Sequence, residues 1–95
     1  MRAARIDANQ PAIVAALRKA GCTVQHLHSV GKGCPDLLVG RAGVNYLIEL
    51  KDGAKSLSEQ RLTPDQVVWH SEWGGSVAVV NCEEAALKAV GLQII

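Results

Sequence analysis

The chain has no phenylalanine and only three aromatic residues, Tyr46, Trp69 and Trp73; alanine and valine are prominent among the 48% of residues that are hydrophobic. That composition is globular and excludes a disordered chain. Charge of one sign is lacking too. Ten Lys and Arg against nine Asp and Glu leave a formal charge of +1, without the strong basic excess of many nucleic-acid binders. What matters is whether Arg18, Lys19, Lys32, Arg41, Lys51, Lys55 and Arg61 cluster once the chain folds. No run is long and apolar enough to span a membrane. Met1-Arg2 leads into Asp7 and Asn9 with no signal-peptide core, so the expectation is a cytoplasmic protein. Cysteine is scarce and odd in number: Cys22, Cys34 and Cys82 read as reduced thiols rather than a disulfide framework. There are no internal repeats, linkers or low-complexity tracts, and the phosphate-cradling GxxxxGK[ST] pattern is absent. Cys22, His26, His28 and Cys34 could be written as a zinc set, but they lack the CxxC or Hx₃₋₅H pairing of compact zinc sites.

What is present is one domain, residues 1–95, whose 95 residues support a modest core. Its centre is Gly33-Cys34-Pro35-Asp36-Leu37-Leu38-Val39-Gly40, followed by Asn45-Tyr46-Leu47-Ile48-Glu49-Leu50-Lys51. These two β-prone runs flank Arg41-Ala42-Gly43-Val44 and read as an antiparallel hairpin. With Arg41–Val44 as the loop, Gly40 pairs with Asn45, Leu38 with Leu47 and Asp36 with Glu49. Side chains alternate between faces and paired residues point the same way. One face therefore gathers Asp36, Glu49 and Lys51, while Leu37, Val39, Ile48 and Leu50 line the other. A one-residue slip would separate the carboxylates.

Two adjacent carboxylates repel, and burial pushes one of them toward protonation. A hard divalent cation such as Mg²⁺ or Mn²⁺ removes that cost, because it takes oxygen ligands and is typically held by one or two carboxylates plus a substrate phosphate. Asp36 and Glu49 fit this role, and the Leu50 carbonyl could add a third oxygen. Lys51 then stands where an ammonium can orient or help deprotonate a water and offset charge on a phosphate. The set suits phosphodiester hydrolysis. The plain alternative is a turn aspartate after proline and a solvated Glu/Lys edge. Against it, these charges interrupt apolar strands, which is costly without a use.

Around the hairpin, Asn9-Gln10-Pro11 opens a helix with Ile13, Val14, Leu17 and Ala20 on one stripe and Gly21 as the stop. Cys22–His28 reads as a short strand. Ser29–Cys34 is a glycine-rich approach whose tip residue, Lys32, could meet a phosphate. Asp52–Arg61 has no period and is a polar connection, with Lys55 and Arg61 as candidate DNA contacts. Thr63-Pro64-Asp65-Gln66 is a helix start with Thr63 as N-cap and Gln66 completing a capping box. Val67, Val68 and Trp69 are assigned to packing. Gly74-Gly75 breaks this helix, Ser76–Val80 reads as a buried strand, and Asn81 caps a last helix running to Val90. The tail Leu92-Gln93-Ile94-Ile95 is apolar enough to pack or to meet another subunit.

Pro35-Asp36 followed by Glu49-Leu50-Lys51 after a short hairpin resembles the PD-(D/E)xK nuclease signature. More narrowly, Val30–Val39 together with Leu62-Thr63-Pro64-Asp65-Gln66 and Trp69-His70 resemble the virus-type replication-repair nuclease (VRR-NUC) domain, over about Asp7 to Val90. The resemblance implies an α/β, restriction-endonuclease-like core, a central mixed sheet flanked by helices in the order αβββαβα. It implies Asp36 and Glu49 as metal ligands, Lys51 as the catalytic lysine, and Mg²⁺ or Mn²⁺ as the cofactor. It also implies a polar, often acidic, first-helix residue near the metals, where this chain offers Gln10 and Asn9 with Asp7 just before. In related nucleases a glutamine on the helix after the hairpin approaches the site. Gln66 is thus either cap or site residue, with His70 four residues on along the same face. Small stand-alone members imply a homodimer acting on branched DNA such as four-way junctions, in phage or bacterial replication and repair. The alternative is the same fold with a silent site, binding nucleic acid or a protein without cutting.

Overall fold

The computed structural model describes residues 7–93. Its elements are α1 (Gln10–Lys19), β1 (Thr23–His26), β2 (Leu37–Arg41), β3 (Val44–Leu50), α2 (Pro64–Glu72), β4 (Val77–Val80) and α3 (Glu83–Ala89). The αβββαβα order is the one read from the sequence. The four strands form one mixed sheet in the order β1-β2-β3-β4, antiparallel except for the β3–β4 pair, which is parallel. A parallel neighbour requires a crossover, and α2 supplies it.

The hairpin register is Leu38↔Leu47 and Gly40↔Asn45. The loop is shorter than expected. Arg41 pairs with Val44, leaving Ala42 and Gly43 as a two-residue turn. Both have positive φ, 51° and 79°, as the tight turn matching strand twist requires. The alternation is kept: Leu37, Val39, Ile48 and Leu50 are each at most 1% exposed. They form the core with Ile13, Val14 and Leu17 of α1 and with Val80, Ala86 and Val90. Burial of such side chains contributes roughly 1.5–3 kcal/mol apiece.

Four expectations are corrected. Ala20 is exposed: it is the C-cap of α1, beyond the buried stripe. Val67 and Val68 are each 53% exposed and α2 has no buried residue, so this helix is docked by its polar start rather than by an apolar face. In β4 only Val80 is buried and Val79 is 48% exposed, because β4 is an edge strand with one open face. The last helix is capped by Cys82, whose Sγ accepts from the Ala85 N–H at 3.4 Å, and its α-helical turns end at Ala89. Asn81 instead donates from Nδ2 to Gln60 Oε1 at 3.0 Å. Asp52–Arg61 is a run of exposed turns bonded within itself, as in Ser56 Oγ to Glu59 Oε1 at 2.9 Å. In the tail, Leu92 packs against the core, whereas Ile94 and Ile95 lie outside the described residues.

No helix among the described residues is long and apolar enough to cross a membrane.

Candidate active site

The hairpin's open end carries the site. Continuing the register by one pair beyond Leu37↔Ile48 sets Asp36 opposite Glu49. Asp36 Oδ2 accepts the Leu50 backbone N–H at 2.7 Å, so one carboxylate oxygen takes up a ladder donor where the hairpin opens. Leu50 thus meets Asp36 through its N–H. The backbone of Lys51 is held on both sides: its N–H donates to the Val80 carbonyl at 2.9 Å and its carbonyl accepts from Asn9 Nδ2 at 3.0 Å.

Glu49 is 2% exposed and Lys51 9% exposed, rare burial for charged side chains. They are joined through Gln66. Lys51 Nζ donates to Gln66 Oε1 at 2.7 Å, and Gln66 Nε2 donates to Glu49 Oε2 at 3.1 Å. The same Gln66 closes the capping box: its Oε1 accepts from the Thr63 N–H at 2.9 Å and its own N–H donates to Thr63 Oγ1 at 3.3 Å. The two roles weighed for this residue are therefore held together by one side chain. Gly33 makes room for the arrangement, because a Cβ there would run into the Asp65 carbonyl and come within 2.8 Å of Gln66 N.

The electrostatics follow from this crowding. Burial, then the Asp36 carboxyl beside it, pushes Glu49 up to about 9, with Lys51 pulling the other way. Asp7 is raised by burial and then by Asp36. Cys34 is raised by burial and by Glu49 and Asp36. His70 is lowered by burial and by the charge of Lys51, which sets it within the field of the site.

The first-helix expectation is redirected. Gln10 is buried, and its Nε2 meets His26 Nδ1 at 3.1 Å. Asn9 serves the backbone, reaching the Lys51 carbonyl and, at 3.2 Å, the Asn81 carbonyl. Asp7 is the acidic group that shares the field of Asp36 and Glu49. No local pattern singles it out, since its placement depends on the turn before α1 closing onto the sheet end. Lys32, Lys55 and Arg61 are exposed, and Lys32 adopts a positive φ of 54°. Lys55 acts electrostatically on Asp7. Two of the other cations are used structurally: Arg41 donates to the Val90 carbonyl at 3.0 Å and Arg18 to that of Val24 at 3.5 Å.

Among the described residues no three His, Cys, Asp or Glu side chains converge to cage a metal. The Asp36–Glu49 pair nevertheless fits a hard cation: Glu49 Oε1 is buried with no hydrogen-bond partner, beside a second carboxylate. Such an orphaned acceptor asks for a cation or a proton.

No family model and no curated protein sequence matches the chain. Among solved structures it is similar to a VRR_NUC domain, with a TM-score of 0.62 and 28% identity over 85% of this chain and 88% of that one. In fold the chain is VRR-NUC-like. The α/β fold, a mixed four-stranded sheet flanked by helices, is the restriction-endonuclease-like arrangement that the motif implied.

Proposed function

We infer that this chain, as one domain over residues 1–95, is a Mg²⁺- or Mn²⁺-dependent endodeoxyribonuclease that hydrolyses phosphodiester bonds. The observation that carries the reading is the buried Glu49–Gln66–Lys51 chain beside Asp36, with one Glu49 oxygen left unpartnered. A carboxylate and a lysine so deeply buried, beside the half-buried carboxylate of Asp36, are costly to the fold and are accounted for by chemistry at that spot.

Asp36 and Glu49, with the Leu50 carbonyl, would hold the cation. When bound, it acts as a Lewis acid toward the phosphoryl oxygens and lowers the pKa of a water in its shell. The chain's own residues do the rest. Lys51 is the catalytic lysine: its ammonium faces the scissile phosphate and offsets the charge that builds there. Gln66 fixes the Lys51 ammonium by accepting from it, and fixes the Glu49 carboxylate by donating to it. Asp7 and Gln10 are the first-helix candidates for a second-site contact, and the field at Asp7 favours it over Gln10. His70, low in pKa, presents a neutral imidazole at the edge of the site. Lys32, Lys55 and Arg61 contact the DNA backbone from the surrounding loops.

The substrate proposed is branched DNA such as four-way junctions, in replication or repair in the cytoplasm of a bacterial or phage-infected host. The working unit is a homodimer, since two sites related by a two-fold suit a roughly symmetric junction. Exposed Val67 and Val68 on α2 and Val79 on edge strand β4 offer apolar surface for the second copy.

The test is to incubate the protein and its Lys51→Ala variant with labelled four-way, flap and linear duplex DNA in Mg²⁺, Mn²⁺ or EDTA. Cation-dependent cleavage that falls by about 10²-fold or more in the variant is expected. Binding without cleavage in every condition would overturn the enzyme in favour of a binding module.

A further inference from the structure

α1 and β1 enclose a recess of about 400 Å³ lined by Gln10, Pro11, Val14, Ala15, Arg18, His26 and His28, with neither Asp36 nor Glu49 in its lining. Its polar groups are poorly satisfied. Gln10 is 2% exposed, yet its Oε1 has no hydrogen-bond partner, and neither has the buried Nδ1 of His28. The other end of the Gln10 amide meets His26 Nδ1 at 3.1 Å. His26 ends β1 and His28 lies in the turn that follows, closed by the Val30 N–H on the Leu27 carbonyl; their ring centres are 5.6 Å apart and the ring planes inclined by 68°. An apolar side chain would fill this position without cost. A buried glutamine with an idle oxygen beside two imidazoles calls for a ligand.

We propose that Gln10, His26 and His28 form a binding site for a single transition-metal ion, Zn²⁺ or Co²⁺ in type, that ties α1 to the edge strand β1. The donor set differs in kind from that of the carboxylate site. Imidazole nitrogens favour borderline metals such as zinc, cobalt, nickel and copper, whereas carboxylates and carbonyls suit magnesium and manganese. The spacing agrees. Two imidazoles bound at about 2.0–2.1 Å have ring centres roughly 5 to 6.5 Å apart. The distance between the Gln10 amide and His26 Nδ1 is that of two neighbouring ligands on such an ion. On binding, the ion takes the place of the Gln10–His26 hydrogen bond, and the amide turns to present its oxygen. Solvent completes the coordination, for His26 is exposed. The ion binds the neutral imidazoles, so each ring donates a lone pair and no oxidation is involved.

The experiment uses the full chain stripped with EDTA and titrated with CoCl₂, read by visible d–d absorption, and with ZnCl₂, read by calorimetry. The same titrations are run on His26→Ala, His28→Ala and the double variant Asp36→Asn/Glu49→Gln. Expected is one equivalent of Co²⁺ or Zn²⁺ on the wild type and on the carboxylate double variant, with affinity weakened more than about tenfold by either histidine substitution. Circular dichroism without metal confirms that the variants fold. Should one histidine variant fail to fold, Gln10→Leu, which preserves packing and removes the oxygen, takes its place with the same expectation. Absence of saturable binding overturns the site, as does binding that survives the histidine changes or disappears in the carboxylate double variant. The nuclease reading is untouched by either result, since it is read by Mg²⁺-dependent cleavage.

Discussion

Lys51 Nζ and Gln66 Oε1 are 2.7 Å apart, and the oxygen that receives this ammonium also receives the first free N–H of α2, from Thr63, at 2.9 Å. The site lysine and the helix start thus share one acceptor. Gln66→Ala removes both bonds and the donor to Glu49. The expected result is a loss of about 1–2 kcal/mol in stability and, through misplacement of Lys51, of about 10²-fold in cleavage. Gln66→Glu separates the effects. Glutamate completes a capping box as well as glutamine does, but it cannot donate to Glu49 and adds a negative charge beside the two carboxyls. Near-native melting with lost cleavage is expected from it, read by thermal unfolding beside a cleavage assay.

The raised pKa of Glu49 makes stability depend on pH. With its folded value at about 9 against an ordinary value of 4.5, the folded metal-free protein holds a proton there that the unfolded chain has released. Stability contributed by that proton is complete below the unfolded value and is lost as pH rises toward the folded one. His70, lowered from 6.5, works in the opposite sense but below that value. Comparing about pH 7 with about pH 8.5 in EDTA therefore excludes the histidine, and Cys34, raised from 9.0, adds a loss of the same sign only at the top of that interval. Urea unfolding should show the wild type losing stability over that interval and Glu49→Gln losing less. A slope that is unchanged in the variant would remove Glu49 as its source.

Gly33 has a φ of +84° and no space for a Cβ against Asp65 and Gln66, whereas Gly31, at +76°, has open space around it. Gly31→Ala should therefore cost only the left-handed conformation, about 1–2 kcal/mol. Gly33→Ala should cost more and should also displace the start of α2, so its cleavage should fall further than its stability alone explains. Melting temperatures of the two variants, set beside their cleavage rates at a temperature where both are folded, provide the comparison.

The core and the crossover helix should respond differently to truncation. Leu37 is fully buried between the sheet and the helices, and Leu37→Ala should cost about 2–5 kcal/mol. Val67 is half exposed, and Val67→Ala should fall within about 0.5 kcal/mol of wild type in the monomer. Denaturant titrations at low protein concentration measure both.

Much of this was legible because it depends on parity and local chemistry. Alternation along the hairpin sends Leu37, Val39, Ile48 and Leu50 to one face and Asp36, Glu49 and Lys51 to the other, whatever the rest of the chain does. Thr63 and Gln66 likewise define a helix start within four residues. What could not be read depends on elements distant in sequence. Val67 and Val68 look like core in any local window, and only the finding that α2 docks through its first turn explains their exposure. Asp7 comes near Asp36 only because α1 packs across the sheet. Gln10 has the right position for a site residue, yet His26, 16 residues away, holds its amide. Cys82 rather than Asn81 caps α3 because the helix starts at Glu83, one residue later than a cap at Asn81 would require.

The peptide groups on either side of the Lys51 α-carbon are bound to β4 and to the residue preceding α1, so the lysine hangs from a backbone anchored at two distant points of the chain. Its amide should be among the slowest in the site to exchange with deuterium, opening only when β4 leaves the sheet. In the proposed nuclease the lysine would meet a phosphate with its main chain already immobile, and only its side-chain torsions would remain to be ordered. Reach is confined to the arc those torsions allow, so a phosphate outside that arc must be brought in by movement of the DNA.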